Sequence, residues 1–454
     1  MSVTMEAPHV GSPRRRVDGR LKVTGAAQYA AEFDAPGLLF GYVVSSGIAK
    51  GRITRIDTAA AEAVSGVVAV YTHENRPKVP AGNEDYQDDV APPGEPFRPL
   101  FNDRITYSGQ PVALVVAENF AAARFAASLI RVSADADAHA TDLGAARDQA
   151  VVPSEKRSGI SPPPDPRGDA DAAFNTAAVT VRNEYHLSCL HHNPMEPHAT
   201  TVIWNGDGSI TVYDKIQGVQ NTQSYLSAVF GMKPENVRVL SPFVGGAFGS
   251  GLRPQYQAFL ATMAALALRR SVRVELTRDQ MFTFGFRPET INTVALGADQ
   301  NGTLQSIRHE AIQRTSSFED YQEVVVNWTG LLYHCDNVQL DYRIARLDTY
   351  TPADMRAPGA PIGVFAIESA IDELAATLKM DPLELRLKNF ADTDENEGKP
   401  FTSRELRAAA KAGAERFGWA SRNHEPRSMR DGRDLIGWGM AAGIWESPMM
   451  PHTA

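Results

Sequence analysis

The chain has 454 residues, with 45 Lys plus Arg against 54 Asp plus Glu, a net charge of −9 and 43% apolar residues. That length allows about three domains with ordinary cores. The charge is spread along the chain and offers no basic face to a phosphate backbone, which argues against nucleic acid as a partner. The longest apolar stretch, Ala258 to Leu268, ends at Arg269-Arg270 and is about half of the roughly twenty residues that a bilayer span needs. Arg14-Arg15-Arg16 is followed by Val17-Asp18-Gly19-Arg20 and not by an apolar run, so no export signal is read there and the cytoplasm is the expected compartment. The two cysteines, Cys189 and Cys335, allow one disulfide and fall short of the four thiolates an iron–sulfur cluster usually takes. Any such cluster would sit on another chain.

In chain order, Leu38 to Val44, Val67 to Thr72 and Val112 to Val116 are short β-branched runs that read as strands. Ala-rich helices are expected at Thr58 to Val64 and Asn119 to Leu129. Arg76 to Asn102, rich in Pro, Asp and Glu, reads as loop, and Gly94-Glu95-Pro96 within it as plain surface. Val152 to Asp171, with Pro162-Pro163-Pro164, reads as a linker. The expected division is therefore a first domain over 17–142, a linker over 143–171 and a second domain over 172–454.

Beyond the linker, Val179 to Leu190 is an expected strand, and Thr200 to Ile216 a hairpin folded at Asn205-Gly206-Asp207-Gly208, where Asn and Gly tolerate positive φ. Asn301-Gly302 repeats the device. Helices are predicted at Val219 to Phe230 and at Gln255 to Arg270, the second apolar nearly all round and so buried on every side. Val364, Ile367, Ile371, Leu374 and Leu378 mark one face of a further helix, and its mate is expected to start at Thr402-Ser403. Leu435 to Trp445 reads as a strand.

His186, Cys189, His191, His192 and His198 are close in sequence. Their spacing does not match the paired ligands of zinc sites, and a strand would send neighbours to opposite faces, so packing is favoured over ligation. Ser241 to Gly251 is a small-residue loop between the strand Val237 to Leu240 and the buried helix. Such a loop can expose consecutive amides to an anion or serve as a turn, and it matches neither the Walker nor the dinucleotide pattern. Met355-Arg356-Ala357-Pro358-Gly359 offers an arginine beside backbone donors, and on pattern alone a solvated side chain is the favoured reading.

In order along the chain, Arg16-Val17-Asp18-Gly19, Lys22-Val23-Thr24-Gly25, Gly66 to Thr72, Arg167-Gly168-Asp169 and Pro194-Met195-Glu196-Pro197-His198-Ala199 form a series. With the two loops, it resembles the molybdenum-binding subunit of the xanthine dehydrogenase and aldehyde oxidase family in its bacterial form. The resemblance implies an α+β fold, with an α/β hammerhead domain followed by the first part of a molybdopterin-binding domain. It implies that Gln217 hydrogen-bonds the oxo group of molybdenum, with Gly218 beside it. Gly246, Ala247 and Phe248 match the stretch that packs against the metal centre. Met355, Arg356 and Ala357 match the arginine loop bordering the metal and the substrate funnel, and no side chain of this chain is expected to ligate the metal directly. The implied cofactor is molybdenum with molybdopterin cytosine dinucleotide, and the implied partners are an iron–sulfur subunit and an FAD subunit.

The implied reaction is hydroxylation with water as the oxygen source, assisted by a carboxylate base. Purine oxidisers of the family carry a glutamate and a phenylalanine near positions that read here as Leu252 and Pro358. Each lost contact costs on the order of 1 to 3 kcal/mol, so a small aldehyde is the expected substrate and an N-heteroaromatic ring the alternative. The family's base lies in a Gly-x-Gly-Glu segment that these 454 residues do not contain. The resemblance therefore implies an incomplete molybdopterin-binding domain, inactive alone, with a C-terminal fragment of the same subunit as a further partner. A non-catalytic split subunit that only binds partners is the other reading.

Overall fold

Two large sheets organise residues 11–445, the span that the computed structural model describes apart from residues 402 and 426. The β-branched runs near the start and the hairpin beyond the Pro-rich stretch enter the same seven-stranded sheet. Its order is Val237–Leu240, Ile210–Asp214, Ala199–Trp204, Val272–Glu275, Leu39–Ser45, Pro111–Ala117, Val67–Thr72. The two halves join where Leu39–Ser45 pairs in parallel with Val272–Glu275, Leu39 opposite Val272. Helix Tyr256–Leu268 lies on this sheet with every residue from Tyr256 to Ala265 buried, as its all-round apolarity requires. Leu39, Leu114, Val202, Val212, Leu226, Phe259 and Val272 form the centre of that core, each contributing about 1.5–3 kcal/mol by leaving water. The hairpin turns where Asn205 N–H bonds the Ser209 carbonyl, with Gly206 and Gly208 at φ +86° and +87°.

The second sheet runs Val338–Leu347, Leu304–Ser316, Thr290–Ala298, Val179–Leu187. Helix Ala360–Leu378 covers it, burying Ile362, Ile367, Ile371 and Leu374 against Val294, Leu296, Ile307 and Leu340. The Asn301-Gly302 turn joins its two central strands, as predicted. The overall architecture is the expected α+β type. No helix among the described residues is long and apolar enough to cross a membrane.

Several local expectations change. The mate of helix Ala360–Leu378 is Pro382–Asn389, capped by the Asp381 carboxylate on the Leu383 and Glu384 amides; Asp381-Pro382 is itself a helix-start signal, an N-cap followed by Pro at the first helical position, stronger than Thr402-Ser403. The helix expected from Thr402-Ser403 begins at Leu406 with no side-chain cap, and Thr402 lies outside the described residues. From Leu435 to Trp445 only Leu435 is in a strand, paired as Asp434–Leu435 with Arg430–Asp431; Gly437, Gly439 and Gly443 weaken strand pairing along this run. Residues beyond 445, including Ser447, lie outside the described residues. Both ends of the Pro-rich stretch touch the second sheet, through bridges of Val151 with Ile344 and Arg167 with Val338. Gly94-Glu95 is exposed but pairs by backbone with Phe318-Glu319.

Candidate active site

Three backbone segments meet. Gln217-Gly218 leads from strand Ile210–Asp214 into helix Val219–Phe230, residues 241–251 follow strand Val237–Leu240, and residues 354–359 lead into helix Ala360–Leu378.

Gln217 joins the first two. Its backbone N–H donates to the Gly251 carbonyl at 2.7 Å. Its Oε1 accepts from the Gly249 and Gly251 amides at 3.0 and 3.3 Å. Two N–H donors can be met only by the amide oxygen, which leaves Nε2 without an acceptor among the described residues. The second and third segments touch directly. Arg356 N–H donates to the Phe248 carbonyl at 2.8 Å, and a Cβ on Gly249, at φ +109°, would lie 2.0 Å from the Asp354 carbonyl oxygen. Only glycine permits that approach. Phe248 and Ala357 both sit at φ +58°, a left-handed conformation that costs about 1 kcal/mol or more with a Cβ. The strain thus lies on both sides of the Phe248–Arg356 bond.

The glycine loop is held from behind and left open in front. Glu196 accepts from the Gly245 amide at 2.6 Å and from Ala30 at 3.3 Å; burial raises its pKa against the pull of those amides. Ser250 Oγ donates to the Ala247 carbonyl at 2.8 Å, with His198 Nε2 at 3.2 Å and Lys215 Nζ at 3.4 Å. Burial pulls Lys215 down to about 8 and pushes Asp214, bonded to the Thr200 and Thr222 hydroxyls, up to about 6. In front, the amides of Gly246, Ala247 and Phe248 have no acceptor among the described residues.

The arginine loop is fixed by its main chain. Arg287 Nη2 donates to the Met355 and Arg356 carbonyls at 2.9 and 2.7 Å. Glu323 Oε2 accepts from the Gly359 amide at 2.7 Å, and Oε1 accepts from the Tyr321 hydroxyl at 2.8 Å. Burial lifts Glu323 to about 7. The Arg356 guanidinium itself is exposed and has no partner among the described residues.

The structure therefore brings together Gln217, Gly218, Gly246, Ala247, Phe248, Met355, Arg356 and Ala357. Leu252 is exposed at the end of the glycine loop, its N–H on the Gly249 carbonyl and its carbonyl on Asn221. Pro358 is half-buried and joins the site through its chain neighbours. Sequence reasoning did not single out Glu196, Lys215, Arg287, Glu323 or Asp354 as supports. Only Glu196 stands in a quoted motif, and nothing local marks the others. The histidines diverge. His186 pairs with Glu289, Cys189 accepts from Arg314, and His191 packs on Phe282. His192 Nε2 meets the Asp354 carbonyl at 2.6 Å, while His198 lies under the glycine loop.

The joined segments carry open donors: the Gly246, Ala247 and Phe248 amides, Gln217 Nε2 and the Arg356 guanidinium, none with an acceptor among the described residues. The nearby carboxylates are engaged: Glu196 accepts from two amides, Glu323 from an amide and the Tyr321 hydroxyl, and Asp354 from both terminal nitrogens of Arg157. Such a donor set suits an oxygen-rich, anionic group, and among the described residues the carboxylates around it are already engaged.

Residues 155–390 match the molybdopterin cofactor-binding domain family, and residues 24–136 the aldehyde oxidase and xanthine dehydrogenase a/b hammerhead domain. The aldehyde oxidoreductase molybdenum-binding subunit PaoC of Escherichia coli (strain K12) is 37% identical over 445 residues, covering 96% of this chain and 58% of that protein. The xanthine dehydrogenase molybdenum-binding subunit of Escherichia coli O157:H7 is 27% identical, covering 96% and 59%. The structure of the aldehyde oxidoreductase from Desulfovibrio gigas superposes with a TM-score of 0.78 at 24% identity, over 90% of this chain and 47% of that one. The chain spans less than two thirds of the length of each.

Proposed function

Because the chain belongs to the aldehyde oxidase and xanthine dehydrogenase family of molybdenum-binding subunits, we propose that it builds part of the active site of a molybdenum hydroxylase that oxidises aldehydes to carboxylic acids. The observation that carries the reading is the donor set: the Gly246, Ala247 and Phe248 amides, Gln217 Nε2 and the Arg356 guanidinium, all without acceptors among the described residues. Ala247 is buried and Gly246 half-buried, so their amides are costly to leave open unless a ligand meets them. A molybdopterin cofactor fits that donor set, and Gly218, Met355 and Ala357 would border it. When bound, the cofactor supplies the redox centre and the Lewis acidity.

The chain's own residues do the rest. Gln217 holds the glycine loop with one end of its amide and offers the other to the cofactor. The three loop amides stabilise negative charge in fixed positions. Arg356, free of protein partners, orients the substrate's oxygen. The engaged state of Glu196, Glu323 and Asp354 supports a general base on other sequence, so turnover is expected only in an assembly that supplies it. Leu252 and Pro358, apolar where a purine would need an acid and a ring, favour aldehydes over N-heteroaromatic rings.

The proposed cofactor form is the cytosine dinucleotide, with electrons leaving to iron–sulfur and FAD subunits, in the cytoplasm. The domains are proposed as 17–142, a linker over 143–171, and 172–454. Dye reduction by the assembled enzyme with an aromatic aldehyde and with a purine tests the substrate class. Aldehyde turnover is expected, and preference for the purine would overturn it.

A further inference from the structure

The Pro-rich stretch between residues 152 and 169 holds neither helix nor strand, yet Arg157 within it is only 5% exposed. Its guanidinium meets the Asp354 carboxylate through two nitrogens, Nη1 to Oδ1 at 2.9 Å and Nη2 to Oδ2. It also lies 4.5 Å from the Tyr321 ring centroid and donates to the Gln322 carbonyl at 3.3 Å. Gln322 Nε2 donates back to the Glu155 carbonyl at 2.8 Å. Burial works against the charge of Arg157, and Tyr321 and Asp354 more than offset it.

Asp354 opens the arginine loop. Its carbonyl accepts from His192 Nε2 and abuts Gly249. The Tyr321 hydroxyl, which donates to Glu323 at 2.8 Å, lies 3.2 Å from the Asp354 carboxylate, and Glu323 accepts the Gly359 amide at the other end of the loop. Both ends of the loop are therefore tied to one buried cluster, in which Arg157 is the cation bound to the Asp354 carboxylate. Without it that carboxylate would have to reach water or take up a proton, because an unpaired buried charge costs several kcal/mol. The first response displaces the segment that carries Arg356, and the second leaves one end of the loop without its charged anchor.

We propose that Arg157 is a positioning residue for the arginine loop, and that the Pro-rich stretch is a clasp setting where the Arg356 guanidinium stands. The proposal rests on the reading of Arg356 as a site residue for its relevance to function, not for its geometry.

The test is hydrogen exchange on the full chain with Arg157→Met, Asp354→Asn and the double variant. Each single variant is expected to speed exchange in peptides spanning 354–363 by roughly tenfold or more, while peptides covering 39–45 and 111–117 stay unchanged. The double variant should recover most of the loop protection, because no charge is left unpaired. Equal loosening of loop and sheet, or an unchanged loop, would overturn the proposal. Should Arg157→Met not fold, Arg157→Lys keeps the charge but loses the two-pronged contact, and intermediate loop exchange is expected; wild-type exchange would count against the clasp. Turnover of the assembled Arg157→Lys enzyme separates the two readings. A loosened loop with unchanged kcat supports the clasp and refutes the catalytic reading of Arg356.

Discussion

The core under the seven-stranded sheet and the supports under the site loops are both buried, but they are made of opposite materials. Around Phe259 the contacts are apolar and interchangeable in kind: Leu39, Val202, Val212 and Leu226 each add area removed from water. Around the loops the buried contacts are charged and specific, as in Arg253, two residues beyond the glycine loop, between Asp88 and Glu319, or Glu323 between Tyr321 and the Gly359 amide. An apolar core tolerates loss in proportion to volume, whereas a buried polar cluster fails when one member is removed and its partners stay. The site itself is a third condition, exposed and strained at Phe248 and Ala357, with donors left open.

The largest effects are expected where each material is broken. Phe259→Ala should cost about 3–5 kcal/mol in urea denaturation. Arg253→Met should cost a similar amount, about 3–5 kcal/mol, since Asp88 and Glu319 remain buried. The contrast appears on compensation: adding Asp88→Asn and Glu319→Gln to Arg253→Met should restore much of the loss, while no neutralisation rescues Phe259→Ala. Failure of the triple variant to recover would erase the distinction.

Next in size is a pH effect. Burial lifts Glu323 from 4.5 to about 7, so between those values the folded chain keeps a proton that the unfolded chain has lost. Stability contributed by this group therefore falls as pH rises through that window, by up to about 3 kcal/mol. Asp214, raised from 3.8 to about 6, acts in the same direction. Glu323→Gln should flatten the fall in melting temperature between about pH 5 and pH 7 relative to the unmodified chain, with the Asp214 part remaining.

A smaller stability change concerns the hairpin. A Cβ on Gly208 would meet nothing within 4 Å, and only its φ of +87° opposes a side chain. Gly208→Ala should cost about 1 kcal/mol, measured by the same denaturation.

The contrast also explains what could be read from sequence. The sheet strands, the all-round burial of Tyr256–Leu268 and the Asn-Gly turns follow from local pattern, because burial and φ preference act over a few residues. Gln217, the glycine loop and Arg356 were legible only as a family motif; the pattern alone left Arg356 as a solvated side chain, and its exposure shows why. The supports were not legible. Arg253 and Glu319 lie 66 positions apart, and Glu323 and Gly359 lie 36 apart, so no spacing marks either pair. The strand expected from Leu435 failed for the opposite reason: apolar residues were present, but pairing was limited to Leu435.

The central claim is that the open donors serve cofactor and substrate while the buried groups only hold them. Arg356→Met in the assembled enzyme tests it most directly, by aldehyde-dependent dye reduction beside a melting curve. Stability should change by no more than about 0.5 kcal/mol, while kcat/KM should fall roughly 10²-fold or more. Unchanged turnover, with stability equally unchanged, would contradict that claim.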